Sequence, residues 1–457
     1  MKPPLLVSLL LVLLSVVGVS ILTLGTHLWI TVLMSTALAF SFVISIIYNK
    51  HSFLFVTIFF LNHFISMDGI YYTRASIVGV LFLFSPFILF VRKPSRLFPL
   101  LLTVALFVLY YSLVVVFSPY SLNIYWVTLH FEAIIVFCIT YFFFWSKEDI
   151  KNVLLLHLLL LVVFGIAEIL FTNQPRIRGP MQTATGFAVL LTIIWSIWVT
   201  MEIFEKIPRY YRIIGISTVT LVVLVASGTR MSLIGVVLTI LLILFIKSFF
   251  VAKSSKIIKM VKFAVSFSCI VLLVTIIWFL LPDDLIVKQG FYSILRGEID
   301  ESNMGRLIVW YTGFQAFLEN PVFGIGNGNF QQYLQETFAH IPFEMHHFSL
   351  SHAHNIFLVV LSENGALALL FIFIILGLAN YYLVKYLRRP HSEAPMYGLV
   401  VGLVVLSVLG LFDTIPNFPS TFIWSAWYLG ILLRSTLEEK NNNTYIASPL
   451  HNYGGAQ

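Results

Sequence analysis

Ser351-His352-Ala353-His354-Asn355 runs straight into Ile356-Phe357-Leu358-Val359-Val360-Leu361, and the change of character at that junction decides the fold. From position 355 to position 387 the chain is almost wholly apolar, more than the roughly 17–25 residues a helix needs to cross a bilayer. Upstream of the junction, 282–353 is the one long polar segment between hydrophobic runs. A chain that leaves the membrane once at length, and returns through a His-Asn pair, invites a search for chemistry in that excursion.

The rest of the sequence agrees with a membrane setting. Of the 457 residues 59% are hydrophobic and 10% charged, and the mean hydropathy is +0.96. Soluble domains carry about 25% charged residues. Apolar runs recur at about 4–24, 27–48, 53–67, 76–91, 97–117, 126–145, 152–171, 183–203, 213–227, 231–250 and 262–281. Beyond the polar segment they continue at 355–387, 396–413 and 421–434. The expected fold is an all-α polytopic membrane protein with about 12–14 transmembrane helices and one large extracytoplasmic loop containing short helices. Its parts are 1–281 (N-terminal helices), 282–354 (the loop), 355–437 (C-terminal helices) and 438–457 (a disordered tail). Lys2 precedes the first apolar run but no small-residue cleavage site follows it, so that run reads as an anchor. Cys138 and Cys269 both fall inside apolar runs and suggest no disulfide framework.

The net charge of +7 raises the question of a nucleic-acid partner. Cytoplasmic loops of membrane proteins are enriched in Lys and Arg, which supplies another explanation. With the N-terminus in the cytoplasm and the helices alternating, only seven of the 27 Lys and Arg fall outside: Arg74, Arg176, Arg178, Arg230, Lys288, Arg296 and Arg306. The other 20 account for the charge, so no nucleic acid is expected. The same split places both termini in the cytoplasm and the long loop outside. Three of the external breaks set arginine beside glycine: Arg176-Ile177-Arg178-Gly179, Gly228-Thr229-Arg230 and Gly305-Arg306. Cations on the translocated side near helix ends cost free energy. Contact with lipid headgroups, or pairing with Asp283, Asp284, Asp300 or Glu301, is one reading; a shared anion site is the other, and three such breaks on one face favour it.

Within the loop, Leu307, Trp310, Tyr311, Phe314, Phe317 and Leu318 follow Arg306 at helical spacing. Ser302 or Asn303 is the expected cap, and Asn320-Pro321 the expected end. An aromatic-faced helix of this kind suits the membrane interface, which would set Arg306 at headgroup depth. Packing on top of the helix bundle would give the same pattern. Gly324-Ile325-Gly326-Asn327-Gly328 is either an anion-binding turn or a plain loop. Five histidines lie between His340 and His354, with His346-His347 and His352-Ala353-His354 as clusters. They lack carboxylate or cysteine partners at ligand spacing, so no metal or other cofactor is expected. A single histidine as general base fits better, its ordinary pKa being about 6.5.

Arg306-Leu307-Ile308-Val309-Trp310, Asn320-Pro321-Val322-Phe323-Gly324-Ile325-Gly326, and His354-Asn355 followed by nine residues and Gly365 together resemble the O-antigen ligase and polymerase family. Arg178-Gly179 and Gly228-Thr229-Arg230 extend the resemblance over roughly 175–370. Ala368 departs from the family pattern, which usually has Gly, Thr or Tyr there. The resemblance implies glycosyl transfer from an undecaprenyl-diphosphate-linked glycan, outside the cytoplasmic (inner) membrane, without metal or nucleotide. Carried over by position, it makes His354 the candidate base and Arg306 and Arg230 the candidate diphosphate ligands. Arg178, Arg176 and Asn355 are further substrate-binding candidates, and Asp413 resembles an acidic residue found late in such chains. The implied partners are the lipid-linked donor, a glycan, lipid or protein acceptor, the bilayer, and other polysaccharide-assembly proteins. Ligase and polymerase remain equally open. A flippase or other transporter is the competing class, and a non-catalytic subunit of an assembly complex is a third. Transporters concentrate ionisable groups near the midplane; here the intramembrane candidates are few, His130 and Glu132 in one span and His157 and Glu168 in another, and the polar chemistry is concentrated outside.

Overall fold

A computed structural model describes residues 124–142, 147–172, 176–179, 183–251, 255–280, 301–338, 353–387, 394–411 and 424–431, with isolated positions at 58, 110, 113, 114, 117–120 and 296. Helices α1 (Ile124–Phe142), α2 (Lys147–Phe171), α3 (Ala184–Ile203), α4 (Tyr210–Ala226) and α5 (Arg230–Ile246) follow one another. A π turn (Lys247–Val251) and α6 (Lys256–Leu280) complete that half. Then come α7 (Glu301–Glu319), α8 (Phe330–Phe338), α9 (Ile356–Leu387), α10 (Ala394–Gly410) and α11 (424–431). No strand occurs among the described residues. Among the described residues four helices are long and apolar enough to cross a membrane: Lys147–Phe171, Ala184–Ile203, Arg230–Val251 and Ile356–Ile374. The chain is thus an all-α, multi-pass membrane protein. The five apolar runs expected before position 118 lie almost wholly outside the described residues.

The bundle is organised around α3, which packs against α2, α4, α5 and α10. Thr183 caps it, its side chain accepting from Gly186 N–H. Lipid tails are as apolar as leucine, so helices in a membrane gain by close approach and not by expelling water. Small residues make that approach here. A Cβ at Gly402 would lie 2.4 Å from Ile197, and one at Gly235 would lie 2.7 Å from Thr192. A polar staple joins α3 to α5, where the Ser196 and Thr239 hydroxyls meet at 2.6 Å. Both also bond back to their own helices, at Thr192 O and Gly235 O, so neither is left wanting in the apolar interior.

One end of the bundle is an ion-pair network. Lys147 and Lys151 reach Glu205 at 2.8 and 2.9 Å, and Arg212 reaches Glu202 at 3.0 Å. The 25-residue α2 runs from this network to Glu168 near its other end, about 37 Å at helical rise. The opposite end is therefore a full bilayer away, and there the arginines collect.

Candidate active site

Three segments build the arginine end. Glu168, in the last turn of α2, accepts from the backbone N–H groups of Arg178 (3.1 and 3.0 Å) and Gly179 (2.6 Å). That clasp fixes the loop 176–179. The loop is then stitched to the α4–α5 turn. Arg176 Nε donates to Ser227 O at 3.1 Å and its Nη2 approaches Gly228 O and Thr229 Oγ1 at 3.5 and 3.4 Å. Gly228 adopts φ +64, and a Cβ there would press on Arg176 at 3.3 Å. Glycine is thus required for both the turn and the contact.

Arg176 reports what surrounds it. Partial burial and the facing charges of Arg230, Arg178 and Arg306 lower its pKa from the usual guanidinium value. Charges separated by as many as 130 positions in sequence thus bear on Arg176. Arg230 opens α5, Arg178 is exposed on its loop, and Arg306 lies in the second turn of α7. These four arginines come from the three Arg-Gly stretches that the sequence singled out. Arg176 itself has its donors committed to the turn, which makes it a tether as well as a charge. Ser302 and Asn303, expected as helix caps, are instead inside α7, which has already begun at Glu301.

Helix α7 is two-faced. Leu307, Tyr311, Phe314 and Leu318 form an exposed stripe, while Val309 and Ala316 are fully buried. Val309, Phe330, Leu334, Ala353 and Val359 make one apolar cluster. A Cβ on Gly313 would sit 3.4 Å from Ala353 Cβ, so α7 and the start of α9 touch closely. Ala353 thereby carries its neighbour His354 to the side of α7, with Arg306 one helical turn before Val309. His354 has φ 45, the one non-glycine residue with positive φ among the described residues. Such a backbone costs roughly 1–2 kcal/mol, and the segments on either side hold it. Asn355, expected to bind substrate, is the cap of α9. Its Oδ1 accepts from Phe357 N–H (2.9 Å) and Leu358 N–H (3.1 Å), and its Nδ2 donates to Leu411 O at 2.9 Å.

The Gly-rich turn locks onto α9. Ile325 N–H donates to Ser362 O (2.8 Å), Gly326 N–H to Glu363 O (2.9 Å), and Ala366 N–H to Pro321 O (2.8 Å). At that place α9 breaks, Gly365 taking φ 77 and ψ −179. A Cβ on Gly365 would fall 2.1 Å from Val322 O, and one on Gly324 2.4 Å from Glu363 C. The nine-residue gap between Asn355 and Gly365 is therefore the length from the helix cap to the interlock. The buried Glu363 carboxylate accepts from Gly328 N–H at 3.1 Å, and Asn364 Nδ2 donates to Asn327 Oδ1 at 2.8 Å. Neither Glu168 nor Glu363 was singled out as a site residue by the sequence. A carboxylate inside an apolar helix was the available signal. The Gly-rich turn directs three of its N–H groups to α9: to Ser362 O, to Glu363 O and to the Glu363 carboxyl group.

Asp413, His340, His346, His347 and His352 lie outside the described residues. Among the described residues no three metal-ligating side chains come together.

Residues 215–373 match the family described as O-antigen ligase. The match contains Arg230, Arg306, the 320–328 turn and His354 to Gly365, and it bears out over that segment the resemblance carried by the motifs. Arg176, Arg178 and Asp413 fall outside it. No curated protein matches the chain significantly.

Proposed function

We propose that this protein is a membrane glycosyltransferase of O-antigen ligase type. It moves a glycan from an undecaprenyl-diphosphate donor to an acceptor hydroxyl on the extracytoplasmic face, in surface polysaccharide assembly. One observation supports the reading: the charges of Arg230, Arg178 and Arg306 bear on Arg176, and Ala353, next to His354, packs with Val309 of the helix that carries Arg306.

The chemistry asks for two things. The acceptor hydroxyl is a poor nucleophile, and a base in hydrogen-bond reach contributes about 10²–10⁴-fold. His354 takes the hydroxyl proton as the acceptor oxygen bonds to the anomeric carbon. The bond from that carbon to the phosphate oxygen breaks at the same time, and the lipid diphosphate leaves with the electron pair. Attack opposite the leaving group inverts the anomeric centre. The departing diphosphate gains charge, and Arg230, Arg306 and Arg178 stabilise it with charge-assisted bonds of about 1.5–3 kcal/mol each. No metal is needed for this division of labour. Asp413, two residues after the Leu411 carbonyl that accepts from Asn355, is assigned the role of orienting the imidazole.

The test separates the two roles in purified full-length protein. Arg306→Ala weakens donor binding by about 10- to 100-fold, the equivalent of one charge-assisted bond, and Arg306→Lys restores part of it. His354→Asn and His354→Gly both tolerate φ 45, so they keep the backbone and remove the imidazole. Both bind donor nearly as the wild type and transfer about 10²–10⁴-fold more slowly. Wild-type turnover in either His354 variant would refute the base, and unchanged donor affinity in Arg306→Ala would refute the anion site.

A further inference from the structure

At the end of the bundle away from the arginines, a cavity of about 420 Å³ opens between α5, its π turn and α6. Leu244, Val261 and Val265 form its apolar wall, and Lys247, Lys262, Ser248 and Ser266 its polar one. The volume falls in the range of small-molecule sites, about 300–1,000 Å³. Lysines at a membrane surface need no cavity, since they reach water by extending along the helix. Here the π turn at Lys247–Val251 interrupts the α5 ladder and opens the space, as such turns often do at functional sites. Lys247 is steadied by the Phe204 ring, 5.8 Å from its Nζ to the centroid. Lys259, on α6, donates to Phe249 O at 3.1 Å and ties the two walls together. No carboxylate lines the cavity. Glu202 and Glu205, two acids of this end, are paired with Lys147, Lys151 and Arg212.

We infer that this cavity binds the headgroup of an anionic glycerophospholipid. Its depth fits: α5 has 17 residues from Arg230 to Ile246, about 25 Å at helical rise, so Lys247 stands one hydrocarbon thickness from the arginine end. Its surroundings fit a lipid and not a free anion. The outer face of α6 presents exposed Ile257, Val261, Val265, Leu272 and Phe279, against which acyl chains lie while the phosphate meets Lys247, Lys262 and the two serine hydroxyls. Basic pockets between membrane helices recognise anionic headgroups by this combination.

The test uses full-length protein stripped of lipid in neutral detergent. Its melting temperature is followed on adding dioleoylphosphatidylglycerol, dioleoylphosphatidylcholine or inorganic phosphate. The phosphatidylglycerol raises it; the other two do not at equal concentration. In the double variant Lys247→Gln/Lys262→Gln, half-saturation moves to about 30-fold more lipid, taking about 1 kcal/mol per lysine. The double variant Lys247→Arg/Lys262→Arg keeps the response. Ser266→Leu fills the cavity without altering charge and loses the response as well, which covers the case of a poorly folding charge variant. An equal response to phosphatidylcholine, an equal response to inorganic phosphate, or an undiminished response in Lys247→Gln/Lys262→Gln or Ser266→Leu overturns the inference.

Discussion

Replacing Gly365 with alanine tests the interlock that shapes the candidate site. At φ 77 and ψ −179 the backbone is in a region nearly closed to other residues, at a cost of about 1–3 kcal/mol. The new Cβ would also stand 2.1 Å from Val322 O and 2.7 Å from Phe323 N. Those are backbone atoms and cannot rotate aside. Relief means parting the 321–326 turn from α9, and three hydrogen bonds of 2.8–2.9 Å cross that seam. At about 1 kcal/mol each, the total reaches roughly 4–6 kcal/mol, a fall in melting temperature on the order of 10 °C. Gly377→Ala, on the same helix, is the control. Nothing lies within 4 Å of its Cβ position, and alanine in a helix is favoured over glycine by up to about 1 kcal/mol. Thermal unfolding of both variants in one detergent decides the matter. If Gly365→Ala melts with the wild type, or if Gly377→Ala falls as far, the interlock is not why glycine stands at position 365.

Two further outcomes follow from the site. Glu168→Ala removes the acceptor of the Arg178 and Gly179 N–H groups; each unsatisfied donor costs about 1–3 kcal/mol. Melting temperature and donor affinity both fall, and Glu168→Gln, which keeps one oxygen, falls less; donor affinity unchanged in Glu168→Ala would mean that this clasp does not position the arginines. The orientation proposed for the 282–354 segment predicts that cysteine at Gln332, an exposed position on α8, reacts with an impermeant thiol reagent in whole cells carrying Cys138→Ser and Cys269→Ser. Labelling only after lysis would reverse the topology.

The helices of the described region were legible because hydropathy and length are local properties. The runs read at 183–203 and 231–250 appear as Ala184–Ile203 and as Arg230–Ile246 with its π turn to Val251. Local signals could not show where chain segments meet. The single run at 355–387 contains a break at Gly365, because the carbonyls of Ser362 and Glu363 bond to a turn some 40 positions away. Spacing from His354 to Gly365 was visible; its cause, the distance between a cap and a contact, was not. Arginine beside glycine marked two breaks, where Gly179 and Gly228 take positive φ, but the third, Gly305-Arg306, lies inside α7. That Arg176 would spend its donors on Ser227, Gly228 and Thr229 depends on two loops meeting, which no stretch of either loop encodes alone.

The two ends of the bundle handle cations differently, and the difference bears on how an anion would be received. At the Lys147 end two carboxylates face cations: Glu205 two lysines, Glu202 Lys151 and Arg212. At the arginine end Glu168 is turned to the backbone N–H groups of Arg178 and Gly179. The acid there fixes the path of the chain and neutralises a charge only in passing. Arg176 likewise holds the Ser227–Thr229 turn through carbonyl and hydroxyl oxygens, which carry no net charge. The Arg178 backbone is therefore set by the Glu168 carboxylate, and the turn before α5 by the contacts of Arg176 with Ser227, Gly228 and Thr229. A site built in this way is shaped before any anion arrives. An incoming diphosphate would meet charges already assembled, with little left to reorganise as negative charge grows on the leaving oxygen. Disrupting the scaffold at Glu168 or Gly228 should therefore weaken donor binding without removing a single cation.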